Sequence, residues 1–128
     1  MRPSRLLALA EVLAIHAEMI ERYGGEAGLR DSGLLDSALA MPPMSFAGEP
    51  LHADPFLMAA ACLFHLVRKH PFVDGNKRTA AASAIVFLDL NGISIEADEE
   101  GLVEITLRAA EGRASKREIA DFFRERVR

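Results

Sequence analysis

The sequence predicts an all-α fold, a single-domain bundle of about six helices over residues 1–128, with a short hairpin between the second helix and the third. Three observations carry that prediction. Apolar residues recur at three- and four-residue spacing through most of the chain. Capping residues (Ser4, Asp31, Asp54, Asp98 and Ser115) stand just before the periodic stretches. Breakers (Gly24-Gly25, Pro42-Pro43 and Asn91-Gly92) stand just after them.

The first helix is expected from a Ser4 cap to about Tyr23. Leu6, Leu9, Leu13 and Ile20, with Val12, Ile15 and Met19 beside them, share its apolar stripe. His16 falls on that stripe and reads as a histidine at the core edge rather than a ligand. Asp31 caps a second helix, Ser32 to Ala40, which Pro42-Pro43 stops. The stretch from Pro42 to Ala53 holds three prolines and a glycine. It reads as a loop with a short extended hairpin, either a contact for a ligand or partner or a plain surface excursion.

Asp54 caps the third helix, with Pro55 at its first position. Phe56 to Val67 is apolar almost all round, which places this helix at the centre. The fourth starts near Asn76 and runs through an alanine-rich, largely apolar stretch to Leu88, where close helix approach is expected. Ile93 to Ala97 reads as an extended link. Asp98 opens a fifth helix to about Ala110. Ser115 and Glu118 form a capping box for the last helix, whose Ile119, Phe122, Phe123 and Val127 are expected to face inward.

Half of the 128 residues are hydrophobic and 27% are charged, values of an ordinary globular domain. A net charge of −4 argues against nucleic-acid or membrane-surface binding through bulk positive charge. Cys62 has no partner cysteine and lies in an apolar run, so a buried thiol in a reducing compartment is expected. The basic start and the apolar residues after it resemble a signal peptide, but Glu11 interrupts the run. No apolar run reaches the roughly 20 residues a bilayer requires. A cytoplasmic protein with no membrane partner is expected.

The chemistry concentrates in His70-Pro71-Phe72-Val73-Asp74-Gly75-Asn76-Lys77-Arg78-Thr79. Pro71 turns His70 away from helical geometry, and the fourth helix begins a few residues later. A helix start offers unpaired N–H groups and partial positive charge. Lys77 and Arg78 add full positive charge where it is normally unfavourable by roughly 0.3–1 kcal/mol each, which a bound anion would offset. Asp74 reads as a salt-bridge partner or as a hard oxygen ligand for Mg2+. His70 reads as a general base, since imidazole titrates near neutrality and Arg68, Lys69, Lys77 and Arg78 would favour its neutral form. Phe72 reads as a core anchor. These parts suit phosphoryl or nucleotidyl transfer. Neither a G-x-x-x-x-G-K-[ST] loop nor a G-x-G-x-x-G is present, and Cys62 and His65 read as core residues rather than zinc ligands.

His70 to Arg78 resembles the signature loop of the Fic/Doc superfamily, H-[PX]-F-x-[DE]-[GA]-N-[GK]-R. Tyr23 to Asp31 and Gly33 to Leu39 are similar to the amino-terminal half of death-on-curing (Doc) toxins. The resemblance covers nearly the whole chain. It implies that His70 activates a target hydroxyl and that Asp74 is catalytic and holds Mg2+. It implies that Gly75, Asn76 and Lys77 line a phosphate nest, that Arg78 clamps terminal phosphates of ATP, and that the loop from Pro42 to Ala53 is a flap aligning the target. AMP-transferring members carry Gly after the Asn and a second Arg three residues beyond the first. Here those positions are Lys77 and Ala81, the Doc-like form, which implies phosphate transfer to a protein hydroxyl. Gly75 is the Fic-like residue where the phage toxin has Ala. The family's inhibitory motif, [ST]-x-x-x-E-[GN], has no match, because Pro50 follows Ser45 to Glu49. Inhibition is thus expected from a separate antitoxin chain whose disordered tail folds as a helix into an apolar groove. The target class so implied is elongation factor Tu, modified on a threonine, with arrest of translation. AMP transfer and a non-catalytic partner-binding module are the alternatives.

Overall fold

The computed structural model describes residues 4–128; Met1, Arg2 and Pro3, part of the basic start, lie outside the described residues. Six helices form among the described residues: α1 (Leu9–Tyr23), α2 (Ser32–Ala40), α3 (Pro55–Lys69), α4 (Asn76–Leu90), α5 (Glu99–Ala110) and α6 (Lys116–Arg124). Strands β1 (Ser45–Phe46) and β2 (Glu49–Pro50) pair antiparallel, Ser45 with Pro50 and Phe46 with Glu49. Ala47 and Gly48 make the turn, both at positive φ (52° and 84°), as a two-residue hairpin demands.

Four helices begin where their caps predict. Asp31, Asp54, Asp98 and Ser115 each accept a hydrogen bond from a first-turn N–H, at Leu34, Leu57, Gly101 and Glu118 respectively. The first helix does not. It starts at Leu9, not after Ser4. The Asn91 amide explains the difference: its Oδ1 accepts from Arg5 N–H (2.7 Å) and its Nδ2 donates to the Arg5 carbonyl (3.0 Å). That pairing ties the amino-terminal segment to the end of α4 outside any helix. The N-cap then falls on Ala8, whose N–H donates to Glu11 Oε1 at 2.8 Å.

α3 is the central helix and packs against α2, α4, α5 and α6. Its Ala59, Ala60, Ala61, Leu63, Leu66 and Val67 are buried. α4 presents Ala80 and Ala84 to the same core, and these small side chains permit the close approach that the sequence predicts. Phe72, Phe87, Leu88, Ile119 and Phe123 fill the remaining volume. Each such side chain contributes about 1.5–3 kcal/mol on burial. Val127 departs from expectation and is exposed. α6 ends at Arg124, and beyond it the chain turns through Glu125 and Arg126 before Val127 bridges Ile95 of the link, so helical periodicity no longer applies. No helix among the described residues is long and apolar enough to cross a membrane.

Candidate active site

The junction between α3 and α4 is built from the helix ends outward. α3 stops at Lys69, and His70 caps it in the left-handed conformation (φ 54°, ψ 54°). For a residue with a β-carbon that conformation costs about 1–2 kcal/mol. Arg30 offsets part of it: its Nε donates to the His70 carbonyl (2.8 Å) and its Nη2 to the Lys69 carbonyl (3.0 Å). A cation at a helix C-terminus is also electrostatically favourable. The Pro71 carbonyl accepts from the N–H groups of Arg30 (2.7 Å) and Asp31 (3.0 Å), so the segment after α1 is laced along the junction.

Asn76 closes the loop on itself. Its Oδ1 accepts from Phe72 N–H (2.9 Å), and its Nδ2 donates to the Phe72 carbonyl (3.0 Å). The orientation of the amide is therefore fixed, and Nδ2 is the donor toward His70 Nδ1 at 3.2 Å. In this arrangement a neutral His70 carries its proton on Nε2. The Asn76 side chain is buried, and what it turns toward an anion is its backbone N–H at the start of α4.

Asp74 lies at the surface with both carboxylate oxygens engaged by backbone. Glu26 N–H donates to Oδ2 (3.2 Å) and Gly75 N–H to Oδ1 (2.8 Å). The Glu26 bond, then the Gly75 bond, hold its carboxyl below the usual carboxylate range, and Arg78 and His16 act in the same direction. The salt-bridge reading of Asp74 finds no counterpart, since it forms no ion pair among the described residues. Gly25 makes room for this carboxylate: a β-carbon there would stand 2.7 Å from Oδ2.

Gly75 is the N-cap of α4 in the left-handed conformation (φ 76°), with no side chain to cap the helix. The first-turn N–H groups of Asn76, Lys77 and Arg78 are thus left for something else. Lys77 and Arg78 are exposed at the same end. The Arg78 guanidinium lies over the Tyr23 ring, 4.4 Å from its centroid, which holds that cation beside α1.

The structure therefore gathers His70, Asp74, Gly75, Lys77 and Arg78 around one helix mouth and turns the Asn76 amide inward beneath them. Sequence reasoning did not single out Tyr23, Gly25, Glu26 or Arg30, although all four lie in the stretch from Tyr23 to Asp31 that resembles Doc toxins. It placed His16 at the core edge, where it is buried, but gave no sign of its bond to the Asp74 carbonyl. A Mg2+ ion fits the carboxylate donor of Asp74. No group of three or more His, Cys, Asp or Glu among the described residues could hold one unaided, and Mg2+ ordinarily fills the rest of its shell with water and substrate phosphate oxygens.

A helix mouth with free amides, two cations, an ionised carboxylate and an adjacent imidazole suits chemistry at a phosphate group. A model of the Fic/DOC family matches residues 6–88, and the chain belongs to that family. Two relatives are named as Doc proteins. "Toxin Doc" of Mycolicibacterium smegmatis is 47% identical over 76 residues, an alignment spanning 59% of this chain and 58% of that protein. "Protein kinase doc" of Escherichia phage P1 is 36% identical over 120 residues, 94% of each chain.

Proposed function

We propose that this chain is the toxin of a toxin–antitoxin pair and transfers the γ-phosphate of ATP to a hydroxyl of a protein target, with elongation factor Tu as the first candidate. The uncapped start of α4 carries the reading, flanked by Lys77 and Arg78 and held against the ionised Asp74. The likeness to a protein named as a kinase, over 94% of both chains, supports it.

The target oxygen forms a bond to the γ-phosphorus while the bond from that phosphorus to the β,γ-bridging oxygen breaks, and ADP leaves. The hydroxyl proton passes to His70. That transfer requires an unprotonated ring nitrogen facing outward, so the imidazole gives up its contact with Asn76, either by turning Nδ1 outward or by moving its proton to Nδ1 through water, which its exposure permits. The first-turn amides, Lys77 and Arg78 receive the phosphate oxygens. When bound, Mg2+ at Asp74 supplies further charge neutralisation. The hairpin of β1 and β2 aligns the target segment, and its Phe46, at 77% exposure, offers an apolar contact. Inhibition comes from a separate antitoxin chain.

Transfer of AMP is the second reading, and Gly75 favours it. Lys77 and Ala81 oppose it, because the family's nucleotidyl-transferring form has Gly and Arg there. Purified protein, Mg2+, elongation factor Tu and ATP labelled at either the α or the γ position separate the two. The kinase reading requires γ-label on a threonine of the factor, reduced at least ~10²-fold by His70→Ala. Label from the α position alone overturns it.

A further inference from the structure

Among the described residues, His16 is the one buried titratable side chain outside the signature loop that touches it. It is 6% exposed. Its ring stacks on Phe72 with centroids 3.8 Å apart and planes within 7° of parallel. Its Nε2 lies 2.8 Å from the Asp74 carbonyl oxygen, across 58 positions of sequence. A carbonyl only accepts, so Nε2 carries the proton and donates.

The bonded carbonyl belongs to the peptide between Asp74 and Gly75. That unit is planar and trans, so its C=O and N–H point in opposite directions. Fixing the oxygen on His16 fixes the Gly75 N–H on the other side, where it donates to Asp74 Oδ1 at 2.8 Å. Gly75, at φ 76°, is the residue that would tolerate rotation of this peptide into the opposite orientation. Such a rotation would remove the N–H from the carboxylate and put the carbonyl oxygen in its place at the mouth of α4. Phe72 holds the ring in place, and the ring holds the peptide.

We infer that His16 is a positioning residue, whose Nε2–H selects one orientation of the Asp74–Gly75 peptide and thereby fixes both the Asp74 carboxylate and the mouth of α4. Its consequence for transfer rests on the activity proposed above; its effect on the peptide does not. His16 touches no reacting group and acts only through that carbonyl.

Two substitutions in the full chain separate donor from stack. His16→Phe keeps the ring on Phe72 and removes the donor; His16→Gln keeps a donor and removes the ring. Amide hydrogen exchange read by NMR, without ATP or target, follows the Gly75 N–H against Val73 and Thr79 as local references. Gly75 protection should fall by a few-fold to about tenfold in His16→Phe, the scale of a lost hydrogen bond, and recover in His16→Gln. Unchanged Gly75 protection in His16→Phe, or equal loss in both variants, overturns the inference. If His16→Phe does not fold, the nitrogen spectrum of the unaltered protein decides, since an unprotonated Nε2 on His16 is incompatible with the bond. In the transfer assay, kcat should fall in His16→Phe and recover in His16→Gln while KM for ATP moves less. If neither ATP label reaches any target, the exchange experiment still tests His16 alone.

Discussion

Gly25→Ala displaces the Asp74 carboxylate without altering any group that would meet substrate. The added β-carbon would sit 2.7 Å from Asp74 Oδ2 and 3.1 Å from its carboxyl carbon, with Ile20 Cδ1 at 3.2 Å closing the way out. Restoring an ordinary contact of 3.4 Å moves the carboxylate by about 0.7 Å. That shift breaks its bond to Glu26 N–H, the main cause of its lowered pKa. Misplacement on this scale should reduce kcat by tens- to about a hundredfold. The substitution also strains the backbone, since Gly25 has φ 115°, and the control must carry the same burden. Gly24→Ala does: φ is 82°, yet its β-carbon would meet nothing within 4 Å. Each variant should lose roughly 1–2 kcal/mol of stability, a fall in Tm of about 3–8 °C. Only Gly25→Ala should lose phosphate transfer from labelled ATP. Equal activity in the two variants, whether high or low, would refute the argument that Gly25 serves to seat this carboxylate.

Arg30→Ala should cost about 1 kcal/mol and lower kcat more than KM, since it frees the Lys69 and His70 carbonyls beneath the imidazole; Arg30→Lys should restore little, because an ammonium cannot span both. Unaltered kcat in Arg30→Ala would show that the bend holds itself. His65 is pushed down to about 4, chiefly by burial and then by Lys116, Lys69 and His52, so the unfolded chain binds a proton there before the folded one does. Stability should therefore fall as pH drops from about 6.5 to about 4, by roughly 1–2 kcal/mol for this partly exposed group. Urea midpoints across that range should slope less in His65→Gln, and parallel slopes would remove His65 as the cause. The Cys62 thiol is buried and pushed up to about 12 by desolvation, so it should resist disulfide reagents at neutral pH until the chain unfolds. Rapid labelling of the native protein would contradict its place in the core.

The helices were largely legible because their punctuation is local. Asp31, Asp54, Asp98 and Ser115 each act within three residues of themselves, and the pattern displays them. The start of α1 was illegible because a partner 86 positions away decides it: Asn91 takes the Arg5 backbone, and Glu11 reaches back to cap Ala8. Val127 failed for a related reason, since the strand-like pairing with Ile95 lies outside any helical period. At the junction, the sequence located the charged and titratable groups but not their supports. His16, Gly25 and Arg30 act on the junction from 39 to 58 positions away, His16 and Arg30 through backbone carbonyls and Gly25 by leaving space for a carboxylate, and none of these has a sequence signature. Asn76 looked like a phosphate contact; its side chain also serves as the clasp of its own loop.

The left-handed turn at His70 sets thermal robustness and chemistry against each other at a single position. Glycine would occupy that bend without penalty, and the chain would be firmer by about 1 kcal/mol. A library sorted solely for resistance to heat or protease would therefore discard the imidazole and enrich glycine there, yielding a sturdier molecule without the base that the proposed transfer needs.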